Sequence, residues 1–134
     1  MATLPGQSSK MKTHQVRVIN EPEFEAEVLH SVQPVLVGFL AGWSQPCRLI
    51  EPVLEEIADT CKGKARVFRV SVEDNPELGM CYGIQSIPAV LYFMNGDVAA
   101  KIVGAASAKA ILGKLQALTV EKPAMKESER RQNK

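Results

Sequence analysis

The residues of this chain best suited to chemistry are Trp43-Ser44-Gln45-Pro46-Cys47. They follow an apolar run, Val35-Leu36-Val37-Gly38-Phe39-Leu40-Ala41, and precede a helical pattern. A dithiol site would place a cysteine at both ends of positions 44–47, one to attack a disulfide and one to release the product. Here Ser44 holds the first place and only Cys47 offers a thiol. The residues therefore allow a mixed disulfide at Cys47 with a protein or a small thiol. An external thiol such as glutathione would have to resolve it, since each exchange step needs an attacking thiolate.

Each residue also has a purely structural reading. Cys47 stands in the first turn of a helix, where backbone N–H groups favour a thiolate; it could equally pack as a small apolar residue. Ser44 precedes that helix, where serine is a preferred N-cap. Its hydroxyl would need a neighbouring base to act as a nucleophile, and His14 and His30 belong to other elements. Cys61 follows on the same helix, about 21 Å from Cys47 by helical rise, which is too far for a disulfide. Cys81 ends a later helix and reads as a packing or surface thiol. The three cysteines have no metal-ligand spacing, so neither a metal nor a cofactor is expected. Arg69 and Glu73 read as ordinary solvated charges flanking a strand.

The elements that position these residues follow from pattern. Residues 16–19 suit a short strand. Asn20 caps a helix with Glu23 in a capping-box place and Pro22 in the first turn; Phe24, Val28 and Leu29 form its apolar face. Residues 35–41 suit a central strand covered on both faces. The helix over 44–61 repeats Ile50, Val53, Leu54, Ile57 and Ala58 at helical spacing, with Pro52 inside it expected to kink it. A strand at 65–72, a short helix at 75–82 and a strand at 89–94 come next. Asn95-Gly96 is a hairpin signal leading to a strand at 98–103. Ser107 caps a last helix with Ile111, Leu112, Leu115 and Leu118 inward. This order predicts an α/β fold, a mixed sheet with helices on both faces.

The 134 residues suit one domain, and 46% apolar residues supply a core. Sixteen basic residues against fifteen acidic ones give no reason to expect nucleic acid or a membrane surface as partner. No apolar run is long enough to span a bilayer, and none near Met1 suggests secretion. Residues 1–13 read as a disordered tail, 14–118 as the domain and 119–134 as a charged tail that could extend the last helix. No acidic residue precedes Glu21, a weak hint of a transit peptide, but arginines and an amphipathic pattern are missing. An odd number of cysteines without metal-ligand spacing fits a reducing, cytoplasmic setting, and a monomer is expected.

Several of these stretches together resemble the thioredoxin family. They are Ala41-Gly42-Trp43, the motif at 44–47, Pro52, Tyr82-Gly83-Ile84, Ile87-Pro88, Asn95-Gly96 and Val103-Gly104-Ala105, in order over 16–118. The resemblance implies the thioredoxin fold, a four- or five-stranded mixed sheet flanked by four helices, with a cis peptide bond before Pro88. It implies thiol–disulfide exchange as the activity, protein clients or small thiols as partners, and a binding groove of Trp43, Gln45, Pro46, Ile87, Pro88 and Ala105. If that bond is cis, the Ile87 backbone would be free to pair with an extended peptide over Cys47. Two departures stand out. The family's attacking cysteine is Ser44 here, and the buried aspartate that often assists the second cysteine is Gly38. One reading is thus a single-cysteine exchange protein centred on Cys47; the other is a redox-silent binding or chaperone-like module using the groove.

Overall fold

The computed structural model describes the backbone of residues 16–125 and the side chains of 16–119. The tail at 1–13, His14 and the last residues of the charged tail, 126–134, lie outside the described residues. Strand β1 (Arg17–Val18) leads into α1 (Glu21–Phe24), which continues as one π-helical turn, Glu25–Leu29. The Glu23 carboxylate accepts from the Asn20 N–H at 2.7 Å, closing the helix start as the capping pattern predicts. The π turn is where the His30 N–H reaches back to the Glu25 carbonyl at 3.0 Å, a departure that no apolar periodicity signals.

Then come β2 (Val35–Leu40), α2 (Gln45–Thr60), β3 (Arg66–Ser71), α3 (Pro76–Cys81), β4 (Ala89–Met94), β5 (Asp97–Val103) and α4 (Ala108–Met125). Helix α2 is one continuous element with Pro52 inside it, and α4 runs on past Leu118. The sheet order is β1-β3-β2-β4-β5. β1 and β2 run parallel to β3, while β4 is antiparallel to β2 and β5. This is the thioredoxin fold, a five-stranded mixed sheet with four helices. β2 at its centre is buried at every position, which explains its unbroken apolar run. Asn95 (φ 55°) and Gly96 (φ 87°) turn β4 into β5; positive φ at both central residues is what a type I′ hairpin requires.

Strand alternation divides the core between the faces. Leu36 and Leu40 point to the cluster holding Cys47, Ile50, Leu54, Ile57, Tyr92 and Ile111. Val35, Val37 and Phe39 point to the other, with Phe24, Phe68 and Phe93. Tyr92 is fully buried, and its hydroxyl donates to the Ile111 carbonyl at 2.8 Å, which ties α4 to the sheet and satisfies the one polar atom of the ring. Burial pushes its phenol well above the ordinary range.

Candidate functional site

Register gathers the site at one end of the sheet. Phe39 pairs with Ala89, so the chain leaving β2 meets the residues entering β4. Ala89 pairs with Val103, and the Gly104 N–H donates to the Pro88 carbonyl at 2.8 Å. Leu40 pairs with Ser71, bringing the end of β3 alongside. Loops distant in sequence, at 41–44, 72–75, 86–88 and 104–106, are thereby neighbours. The Ile87–Pro88 peptide bond is cis.

Ser44 is the N-cap of α2, in extended conformation. Its hydroxyl accepts from the Cys47 N–H at 3.4 Å, a long bond by the usual N–H···O range. Ser44 is only 6% exposed and Cys47 is 0% exposed. The Cys47 sulfur accepts from the Ala41 N–H at 3.4 Å and otherwise packs in the Leu36–Ile50–Leu54 cluster. So the thiol and the hydroxyl share one backbone corner, but the hydroxyl faces the N–H of residue 47 and solvent does not reach the sulfur.

The residues around this corner differ sharply in exposure. Trp43 is 68% exposed, and Gln45, Pro46 and Ala105 are exposed as well, whereas Ile87 is half-buried and Pro88 buried. Ile87 packs against the same cluster as Cys47. Leu49, 60% exposed in the second turn of α2, and Val103, at the end of β5, add apolar surface. Leu49 escapes sequence reading because its helical position resembles a core position until the orientation of α2 is known.

Gly38 lies on the same face of β2 as Leu36 and Leu40. A Cβ at this position would stand 2.8 Å from Leu54 Cδ1, and Leu54 is fully buried. A larger side chain on β2 would therefore require the Leu54 side chain of α2 to move.

Of the two charges expected to be solvated, Glu73 is exposed but also meets a loop, and Arg69 is partly buried. The Gly42 N–H donates to Glu73 Oε1 at 3.3 Å, and Arg48 Nε donates to the Gly42 carbonyl at 3.3 Å, so Glu73 and Arg48 hold the loop that carries Trp43. Arg69 pairs with Glu51 at 3.5 Å with its side chain only 27% exposed, because β3 runs beneath the first turns of α2. No sequence spacing links these residues; they meet through register. Among the described residues no group of three His, Cys, Asp or Glu side chains could hold a metal. All three cysteines are free: Cys47 and Cys61 buried, Cys81 exposed.

A buried cysteine in the first turn of the helix after a central strand, with Ile87 of the cis Ile87–Pro88 bond packed against the same cluster, fits the thioredoxin fold, that of a thiol–disulfide exchange family. Residues 15–117 match the model of the family described as Thioredoxin, and the chain belongs to that family. It is 43% identical over 96 residues to a thioredoxin of Griffithsia pacifica, covering 72% of this chain and 88% of that one. It is 44% identical over 79 residues to a thioredoxin of Rickettsia bellii, covering 59% of this chain and 75% of the relative. With a chloroplastic M-type thioredoxin of Pisum sativum it shares 38% identity over 92 residues, 69% of this chain but only 54% of the relative. No helix among the described residues is long and apolar enough to cross a membrane.

Proposed function

We propose that this member of the thioredoxin family works as a protein-binding module and has given up dithiol exchange. The observation that carries the reading is the complete burial of Cys47. A thiol without solvent access, beside a serine instead of a second thiol, has neither a route to a disulfide nor a partner to resolve the product. The surface around it is suited to recognition. Trp43 is exposed on a loop held by Glu73 and Arg48, and tryptophan is among the residue types enriched at binding hot spots. The client would be an extended segment of another protein, laid across Trp43 and Ile87 with Gln45, Pro46, Pro88 and Ala105 at the margins. The near balance of charge in the chain favours a protein client over nucleic acid, and its free thiols favour a reducing compartment such as the cytoplasm. A monothiol exchange at Cys47, resolved by glutathione, is the reading this one displaces.

Incubation of the folded chain with oxidised glutathione, followed by site-resolved mass spectrometry, separates the two. The adduct is expected on exposed Cys81 and not on Cys47. Modification of Cys47 at a rate close to that of Cys81 would restore the exchange reading. For any client then identified, Trp43→Ala should weaken binding by about 1–2 kcal/mol or more, while Cys47→Ala leaves it nearly unchanged under reducing conditions.

A further inference from the structure

The C-terminal end of α2 borders a half-open cavity of about 780 Å³, lined also by α4, by residues before β2 and by the end of β4 with Asn95. That volume lies in the range occupied by small-molecule sites. It is the end of α2 opposite Ser44, so nothing in the motif contributes to it. Val32, Pro34, Met94, Leu112 and Leu115 give the cavity apolar walls, with the Cys61 thiol among them. Burial pushes that thiol up, so Cys61 lines the space as a neutral sulfhydryl. Lys64 is the one charged residue of the lining among the described residues.

We propose that this cavity binds a small amphipathic anion, with an apolar body against Leu112 and Leu115 and a carboxylate or sulfonate head at Lys64. Charge complementarity selects the class. A cation would meet Lys64 with no carboxylate among the described lining residues to offset it, and a wholly apolar ligand would cover Lys64 without giving it a partner. Leu112, Leu115, Gln116 and Thr119 present one face of α4, and Gln116 and Thr119 place neutral hydrogen-bonding groups beside the apolar wall. An amphipathic ligand satisfies both halves of that face. The site is independent of the binding role proposed for Trp43, and either can fail without the other.

The test is titration of the full-length chain with decanoate below its micelle concentration, followed by amide NMR. Saturable shifts are expected in residues 60–65 and 112–119 and not in 43–47. Lys64→Gln should weaken decanoate about two- to fivefold, the scale of an exposed ion pair, and leave decanol within about twofold. Leu112→Trp, which narrows a cavity whose wall at that point is only partly buried, should abolish saturable shifts from both probes while the remaining spectrum stays dispersed. No saturable shift at millimolar decanoate, or shifts centred on 43–47, overturns the site. Equal affinity of decanoate for the parent chain and Lys64→Gln overturns the anionic assignment.

Discussion

At the N-terminal end of α2, Cys47 is packed beneath a serine cap, with the Ala41 N–H on its sulfur and no exposed surface. At the C-terminal end, Cys61 is also buried, but its neighbours line an open cavity with a lysine at hand. A buried cysteine thus stands at each end of this helix, in different surroundings. The first is a filled corner next to an exposed aromatic; the second is a cavity with apolar walls among the described residues. The difference teaches that burial alone does not assign a cysteine. What surrounds the sulfur, and whether a second molecule can reach that surrounding space, separates a packed remnant from the wall of a binding site.

The largest change to this contrast is expected from Ser44→Cys. It supplies Cys47 with a second thiol at a spacing that can meet disulfide geometry, and it does nothing at the Cys61 end. Mild oxidation should remove the mass of a hydrogen pair and place a 44–47 linkage in the peptide map. The parent chain should show neither this linkage nor reductase-coupled turnover of a protein disulfide. A variant that stays fully reduced would mean that the corner cannot bring the two sulfurs together.

Gly38→Ala probes the core behind the motif. The added methyl meets Leu54 at 2.8 Å, and overpacking of this kind costs about 1–3 kcal/mol. Gly38→Asp should cost more, because the carboxyl must also be desolvated. Combining Gly38→Asp with Leu54→Ala should show a favourable coupling energy in a double-mutant cycle. Additive losses, measured by urea unfolding, would mean that Leu54 is not what excludes the acid.

Ser44→Ala tests the cap alone. The bond to the Cys47 N–H is long, so the loss should fall near the low end of the capping range, about 0.5–1 kcal/mol, with no change at Cys61. A loss well above that range would give the hydroxyl a role beyond capping.

Glu27 lies away from both ends and should show the smallest effect. The Arg66 hydrogen bond, followed by the nearby Arg17 and Arg66 charges, holds its carboxyl below the ordinary range. A lowered folded-state value means that the contribution is present above the unfolded value, about pH 4.3, and is lost as pH falls through the folded one. Glu27→Gln should therefore lower the melting temperature slightly at pH 7, with the difference closing as pH falls through the lowered folded-state value. A gap that is unchanged at low pH would point to packing rather than charge.

Much of this molecule is legible in its sequence. Local rules were enough for the Asn20–Glu23 cap, the Asn95-Gly96 turn, the apolar β2 run and the Ser44 cap, because each depends on residues close in sequence and on a backbone preference or a period. The family motifs likewise carried the fold. The absence of a thiol at position 44 is a fact of composition that no packing can alter.

What the tertiary structure decided is everything that depends on register and on which way an element faces. Sequence placed Cys47 at a helix start but left open whether solvent reaches it; the pairing of β2 with β3 and β4, and the packing of α2 on that sheet, buried it. Gly38 was visible as a missing acid, but the Leu54 methyl that occupies its space became visible only with helix and strand in contact. Glu73 and Arg48 came to the Trp43 loop, and Arg69 to Glu51, by the same route. The cavity at Cys61 had no sequence signal, since its walls come from separated segments with no shared motif. Local preference is set by interactions within a few residues, whereas burial, exclusion and enclosed space arise where distant segments meet.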